Sequence, residues 1–261
     1  MKRLLLAISI VLVVFAVASK DRIISFIERR QEIAVQEQVK LPVAEALASS
    51  ASTTTSSSSF APSLPSSSAS SSLRAAVNWD VPFTSQAPLG NWDELHQEAC
   101  EEASVLMVLR YFQGTPIGTP EQADQAIQSL VLRNEELGFP VDDTAEEVIV
   151  LLRDQDSTLK TELLHDPSAD DLKRVLSEGA LVIVPAQGQF LKNPYFTPPG
   201  PRYHMLVLRG YTDNGFVITN DPGTKRGEAY VYSWERMLNA IHDWNDGDVE
   251  NGAKVVVVVR R

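Results

Sequence analysis

A single cysteine occurs in 261 residues, and that scarcity is the first constraint. No internal disulfide can form, so the fold must be held by its own core. Positive charge is also short, with 23 Lys and Arg against 34 Asp and Glu, a formal net of −11. Residues 1–75 carry eight basic and five acidic side chains, a net of +3, so residues 76–261 carry −14. Acidity on that scale argues against nucleic acid or an anionic lipid surface as the domain's partner. The chain has no Gly-rich phosphate loop and no Cys/His cluster with metal-ligand spacing, so neither a cofactor nor a metal is expected. No internal repeat is evident. What is present is a 44% hydrophobic chain long enough for one sizeable domain with attachments.

The attachments come first. Met1-Lys2-Arg3 precedes an apolar run from Leu4 to Ala18 with a small-x-small site at Ala16-Val17-Ala18. This pattern is expected of a signal peptide over residues 1–19, or of an uncleaved membrane anchor. The run is marginal for an anchor, because a full span takes about 20 apolar residues. Either way the remainder is expected to be exported, and secreted or membrane-tethered. Residues 20–48 have helical character, with Ile23, Ile24 and Ile27 on one face, and are expected to form a solvated stalk helix. Residues 49–75 are dominated by Ser, Thr, Ala and Pro and cannot bury enough apolar surface to fold. Residues 20–75 are therefore expected to be stalk and linker, and residues 76–261 the domain.

Within the domain, helices come before strands. The Cys100 helix is expected to run to about Phe112. Thr119-Pro120 caps a helix that stops at Gly138. Thr144-Ala145-Glu146-Glu147 is a capping box, and Ser168 caps another helix that ends at Gly179. Strands are expected over 180–186, 204–211, 216–220, 228–232 and 254–259, with Asp213-Asn214-Gly215 as a hairpin turn and Ser233 capping a late helix. This order predicts an α+β fold, a helical half packed on an antiparallel sheet.

Cys100 is the candidate nucleophile. A thiol attacks a carbonyl as the thiolate, and a helix start favours that form. The adjacent Glu101 and Glu102 would oppose a thiolate and are expected to point away. His204, opening a strand after a Pro/Gly-rich loop, is the candidate base. A four-residue hairpin loop over 212–215 would place Asp221 opposite Leu206, diagonal to His204, where it could orient the imidazole. A three-residue loop would turn it to the wrong face. The oxyanion of an acyl-transfer intermediate needs donors. The Cys100 backbone N–H is one candidate, and Gln86 or Gln97 could supply an amide. His96, His165 and His242 are scattered and weaker candidates.

Four segments together carry a resemblance: Val81-Pro82-Phe83-Thr84-Ser85-Gln86, Gln97-Glu98-Ala99-Cys100-Glu101-Glu102-Ala103-Ser104, Tyr203-His204-Met205-Leu206-Val207-Leu208-Arg209-Gly210-Tyr211, and Asn220-Asp221-Pro222-Gly223. In that order they resemble the papain-like cysteine peptidases of family thirty-nine, the bacteriocin-leader peptidases and their stand-alone relatives. The resemblance spans about residues 77–260. It implies a papain-like fold, Cys100 as nucleophile, His204 as general base and acid, Asp221 as its orienter, and Gln86 lining the oxyanion hole. It also implies a peptide or protein substrate cleaved through a thioester. Two alternatives stand beside it: a peptidoglycan amidase or endopeptidase of papain-like type, and a non-catalytic peptide-binding module whose cleft aromatics would be Trp92, Tyr195 and Phe196. Neither the substrate nor the oligomeric state is legible in the sequence.

Overall fold

A computed structural model describes residues 27–39 and 73–261. The apolar run over 4–18 and the Ser/Thr-rich segment lie outside the described residues. No helix among the described residues is long and apolar enough to cross a membrane.

The first described element is helix α1, residues 27–39. The domain then runs β1 (Val77–Asn78), α2 (Glu94–Gln97), α3 (Cys100–Gln113), α4 (Pro120–Leu137), α5 (Ala145–Gln155), β2 (Lys160–His165), α6 (Ala169–Ser177), β3 (Leu181–Gln187), α7 (Gly188–Leu191), β4 (Tyr203–Tyr211), β5 (Phe216–Asn220), β6 (Tyr230–Ser233), α8 (Trp234–Ala240) and β7 (Val255–Arg260). The helix starts follow local chemistry. Thr119, Thr144 and Ser168 each accept from a backbone N–H three residues on, and the residue there reaches back, closing three capping boxes.

The strands form one antiparallel sheet in the order β2-β7-β3-β4-β5-β6, with β1 paired to β4. Helices cover both faces. On one side α3, α4 and α5 pack on Ile183, Met205, Val207 and Val257. On the other, α6 and α8 pack on Val182, Leu206, Leu208 and Val258. Burial of both faces explains the unbroken valine run of β7, because a central strand with no solvent face needs no polar alternation. The fold is therefore α+β, with a helical half packed on an antiparallel sheet as expected, and with a second helical layer that the sequence reading did not include. The edge strand β2 was not expected either. Its Lys160-Thr161-Glu162 start is too polar to read as a strand, and pairing to β7 supplies what propensity does not.

The β4–β5 hairpin departs from expectation in two compensating ways. Thr212 N–H donates to Phe216 O at 2.9 Å, so the loop is the three residues Asp213-Asn214-Gly215. Alone, this would carry Asp221 to the wrong face. A bulge between Leu208 and Gly210 takes up one extra residue, and beyond it Val207 pairs with Asn220. Asp221 thus returns to the face of His204. Gly210 sits at this bulge because the β1 backbone crosses it. A Cβ there would lie 2.0 Å from Val77 O.

The stalk helix is not solvated. Val35 is buried against Ile218, Ala229 and Val231. Gln36 treats the β6 edge as a strand would, with Nε2 donating to Ala229 O at 2.9 Å and Oε1 accepting from Val231 N–H at 2.8 Å. Arg236 on α8 donates to Glu32 at 2.5 Å and to Glu28 at 3.3 Å. Of the isoleucine face read from the sequence, Ile27 is half exposed and Ile23 and Ile24 lie outside the described residues, while the helix buries Val35 and Glu32.

Gly210→Ala should destabilise the domain by about 1–3 kcal/mol, the usual cost of forcing a group into packed surroundings. Urea unfolding of the two proteins measures it, and an unchanged midpoint would mean that β1 does not hold its place on β4.

Candidate active site

Asp221 is fully buried, and its two oxygens collect four donors. Oδ1 lies 2.8 Å from His204 Nε2 and accepts from Gly223 N–H at 3.0 Å. Oδ2 accepts from Tyr232 Oη at 2.5 Å and Asn193 Nδ2 at 3.0 Å. Burial pulls this carboxyl upward, but the His204 charge and the hydrogen bonds from His204, Tyr232 and Gly223 outweigh it, leaving it below the ordinary carboxylate value. The sequence reading missed Tyr232 and Asn193. Only a tyrosine in a short strand and an asparagine before Pro194 mark them, and both signals are common.

His204 is held on several sides. Its Nε2 is engaged by Asp221, which leaves Nδ1 as the nitrogen able to work elsewhere. The Phe196 ring packs edge-on against it with centroids 5.3 Å apart. A Cβ on Gly223 would come within 2.7 Å of Phe196 Cε1 and 2.9 Å of His204 Cε1. The Pro222-Gly223 turn therefore needs glycine for contact with the imidazole, not for its backbone angle.

Cys100 begins α3 at 5% exposure. Together with His204 it lines a cleft of about 870 Å³, whose walls also include Gln86, Trp92, Tyr195 and Trp244. The expectation that Glu101 points away is overturned. It and Glu102 are buried, and Cys100 Sγ donates to Glu101 Oε2 at 3.0 Å while accepting from Met205 N–H at 3.3 Å. Burial and then the Glu101 charge push the thiol well above its ordinary value, with Glu102 adding to the effect and the Met205 N–H opposing it. The resting sulfur is a thiol, so the helix-start advantage has been overridden.

The loop ahead of Cys100 is braced twice. Gln86 Nε2 donates to the carbonyls of His96 and Gln97, each at 2.9 Å, and its backbone N–H donates to Pro222 O at 2.9 Å. Gln97 Nε2 donates to Trp92 O at 3.0 Å. Both candidate oxyanion amides are thus committed to backbone carbonyls in this arrangement. His96 is the second brace. Its Nδ1 lies 2.6 Å from Asp93 Oδ1 and its Nε2 2.8 Å from Asp124 Oδ1, tying α2 to α4. His165 is an exposed residue closing β2, and His242 packs on Phe190. No group of three or more His, Cys, Asp or Glu among the described residues is arranged to hold a metal ion.

Behind the thiol, Glu101, Glu102 and Asp143 crowd together with no ion-paired cation among the described residues. Burial, followed by the neighbouring carboxyl charge, raises Glu101 well above its usual range. Burial pushes Glu102 up to about 8 and Asp143 up to about 7. An unfolded glutamate titrates near ~4.3. Between that pH and about 8 the native state holds a proton that the unfolded state has released, so this contribution to stability is complete below ~4.3 and is lost as pH rises through 8. Glu102→Gln, which cannot ionise, should therefore gain stability over wild type as pH rises from 5 to 8, by about 1.4 kcal/mol for each unit of pKa difference it removes. Urea unfolding at the two pH values checks this, and a constant difference would show that Glu102 does not titrate in this window.

Among curated proteins none matches this chain. Among solved structures, a Bacillus anthracis protein provisionally titled a C39-like peptidase aligns with 18% identity and a TM-score of 0.47, over 71% of this chain and 98% of its own. The model of the Peptidase_C39 like family matches residues 79–246, which include Cys100, His204 and Asp221. This chain belongs to the Peptidase_C39 like family.

Proposed function

We propose that this protein is an exported cysteine peptidase that cleaves peptide bonds through a thioester on Cys100. The observation that carries the reading is that Cys100 and His204 line one cleft while Asp221 holds His204 Nε2 at 2.8 Å from behind. Family membership supports a cysteine peptidase acting on a peptide or protein. The thiolate attacks the scissile carbonyl carbon. His204 donates a proton to the leaving amine, then accepts one from the water that hydrolyses the thioester. Asp221 fixes the ring through Nε2, which leaves Nδ1 for this traffic. The developing oxyanion is met by the Cys100 backbone N–H, unpaired within its helix as the first of α3. Gln86 is the side-chain candidate, and serving there requires release of one of its two carbonyl partners. The aromatic walls at Trp92, Tyr195 and Trp244 suit an extended chain laid across the cleft. Export rests on the basic N-terminus and the apolar run behind it.

Cys100→Ala should abolish cleavage of a mixed peptide library, read by mass spectrometry, while the near-UV spectrum stays unchanged. Asp221→Ala should lower kcat by roughly 10²–10⁴-fold, the range for loss of an effective acid-base group. Hydrolysis that survives in Cys100→Ala would refute the assignment.

A further inference from the structure

The proposed reaction accounts for the protons of the amine and the water, but not for the proton of the thiol itself. In the structure that proton points at Glu101, with Sγ to Oε2 at 3.0 Å. Glu101 is 1% exposed, and its Oε1 has no hydrogen-bond partner. The titratable groups facing it are all acidic: Cys100 and Glu102 on α3, Asp143 ahead of α5, and Tyr203 on β4, whose hydroxyl meets Asp243. No basic side chain among the described residues is ion-paired to Glu101, Glu102 or Asp143. An isolated carboxylate in such a place is costly and draws a proton from whatever donor it touches. The donor it touches is the nucleophile.

We propose that Glu101 is a catalytic residue that shares one proton with Cys100, and that the reactive form has this proton on Oε2. The inference rests on Cys100 being the nucleophile. Transfer of the proton from Sγ to Oε2 turns thiol and carboxylate into thiolate and carboxylic acid. The pair keeps its single negative charge throughout. In the reactive form the thiolate accepts two hydrogen bonds, from the carboxylic acid and from Met205 N–H, already at 3.3 Å. His204 therefore enters the cycle with its proton in hand for the leaving amine. When water has released the acyl group, the thiolate recovers its proton from Oε2 and the pair is reset. The raised position of both groups fits two acids competing for one proton in a buried site.

A shared proton has a signature in the thiol's own chemistry. The two forms of the pair differ only in where the proton sits, so their ratio does not vary with pH. Iodoacetamide labelling of the wild type should rise with pH as the pair loses its first proton, hold at a plateau, and rise again as it loses the second. The two midpoints should stand more than about one pH unit apart, as for strongly interacting groups. Cys100 is the only cysteine, so labelling reports on it alone. Glu101→Gln can donate to sulfur but cannot accept a proton, and its labelling should rise in one step. Glu101→Asp keeps a titratable carboxyl and should keep both steps. A single step in the wild type, or two steps surviving in Glu101→Gln, would overturn the proposal. The wild-type profile decides the matter even if a variant fails to fold. Labelling needs no substrate, so two-step labelling in a protein that cleaves no peptide would refute the peptidase reading and leave this one standing. One-step labelling in an active peptidase would do the reverse.

Discussion

Asp221 carries its charge in the interior because four donors converge on its two oxygens. Among the described residues no guanidinium or ammonium is ion-paired to it. The imidazole, a phenol, an amide and a backbone N–H each come from a different segment, so the carboxylate acts as a fastener for the loop after α7, strand β4, its own turn and strand β6. Removing the charge would leave those donors facing one another, which is why structure and chemistry cannot be separated at this residue. The carboxyl group that steers His204 is also the group that closes the C-terminal half of the cleft.

The side behind Cys100 meets the same problem differently. Glu101, Glu102 and Asp143 are buried with several oxygens unpartnered, and burial raises all three carboxyls above their ordinary range, which eases the cost of holding them without donors. Behind His204 thus lies a fixed carboxylate with four donors, and behind Cys100 lie acids that lack them. The sulfur lies on the second side. Its surroundings disfavour charge, in contrast to the electropositive setting in which low-pKa thiols are found. Sheet and helices keep the walls in register. The helix that Cys100 begins packs on the same strand, β4, that carries His204 and supplies the Met205 N–H, so thiol and imidazole share one rigid support.

Much of this was legible in the residues. Capping boxes at Thr119, Thr144 and Ser168 marked three helices because capping is local chemistry. The order Cys100, His204, Asp221 pointed to thiol chemistry because few other reactions need those three groups. The reading failed where a distant segment decides. Asp221 reaches His204 by way of a three-residue turn corrected by a bulge, and nothing in the hairpin's own sequence announces the bulge, since it is Val77 of β1 that calls for glycine at position 210. Glu101 was expected to avoid the sulfur on electrostatic grounds that hold for a carboxylate facing a thiolate and lapse when the two groups hold a proton between them. Burial and then the Glu102 charge favour that proton, and Asp143, far along the chain, adds to them. Strand β2 was missed because its partner, the valine strand, supplies the apolar surface that β2 lacks.

Helix α1 has a mechanical consequence. Its Gln36 amide is paired to the β6 backbone, and its Val39 packs on the same cluster. Ahead of β1, the Arg74 carbonyl accepts from Tyr211 Oη at 2.8 Å. Helix α1 and the residues that lead into β1 are therefore both held on the domain. Pulling on the chain ahead of residue 27 would load the β6 edge through the helix. The distance from residue 27 to the cleft is set by packed structure.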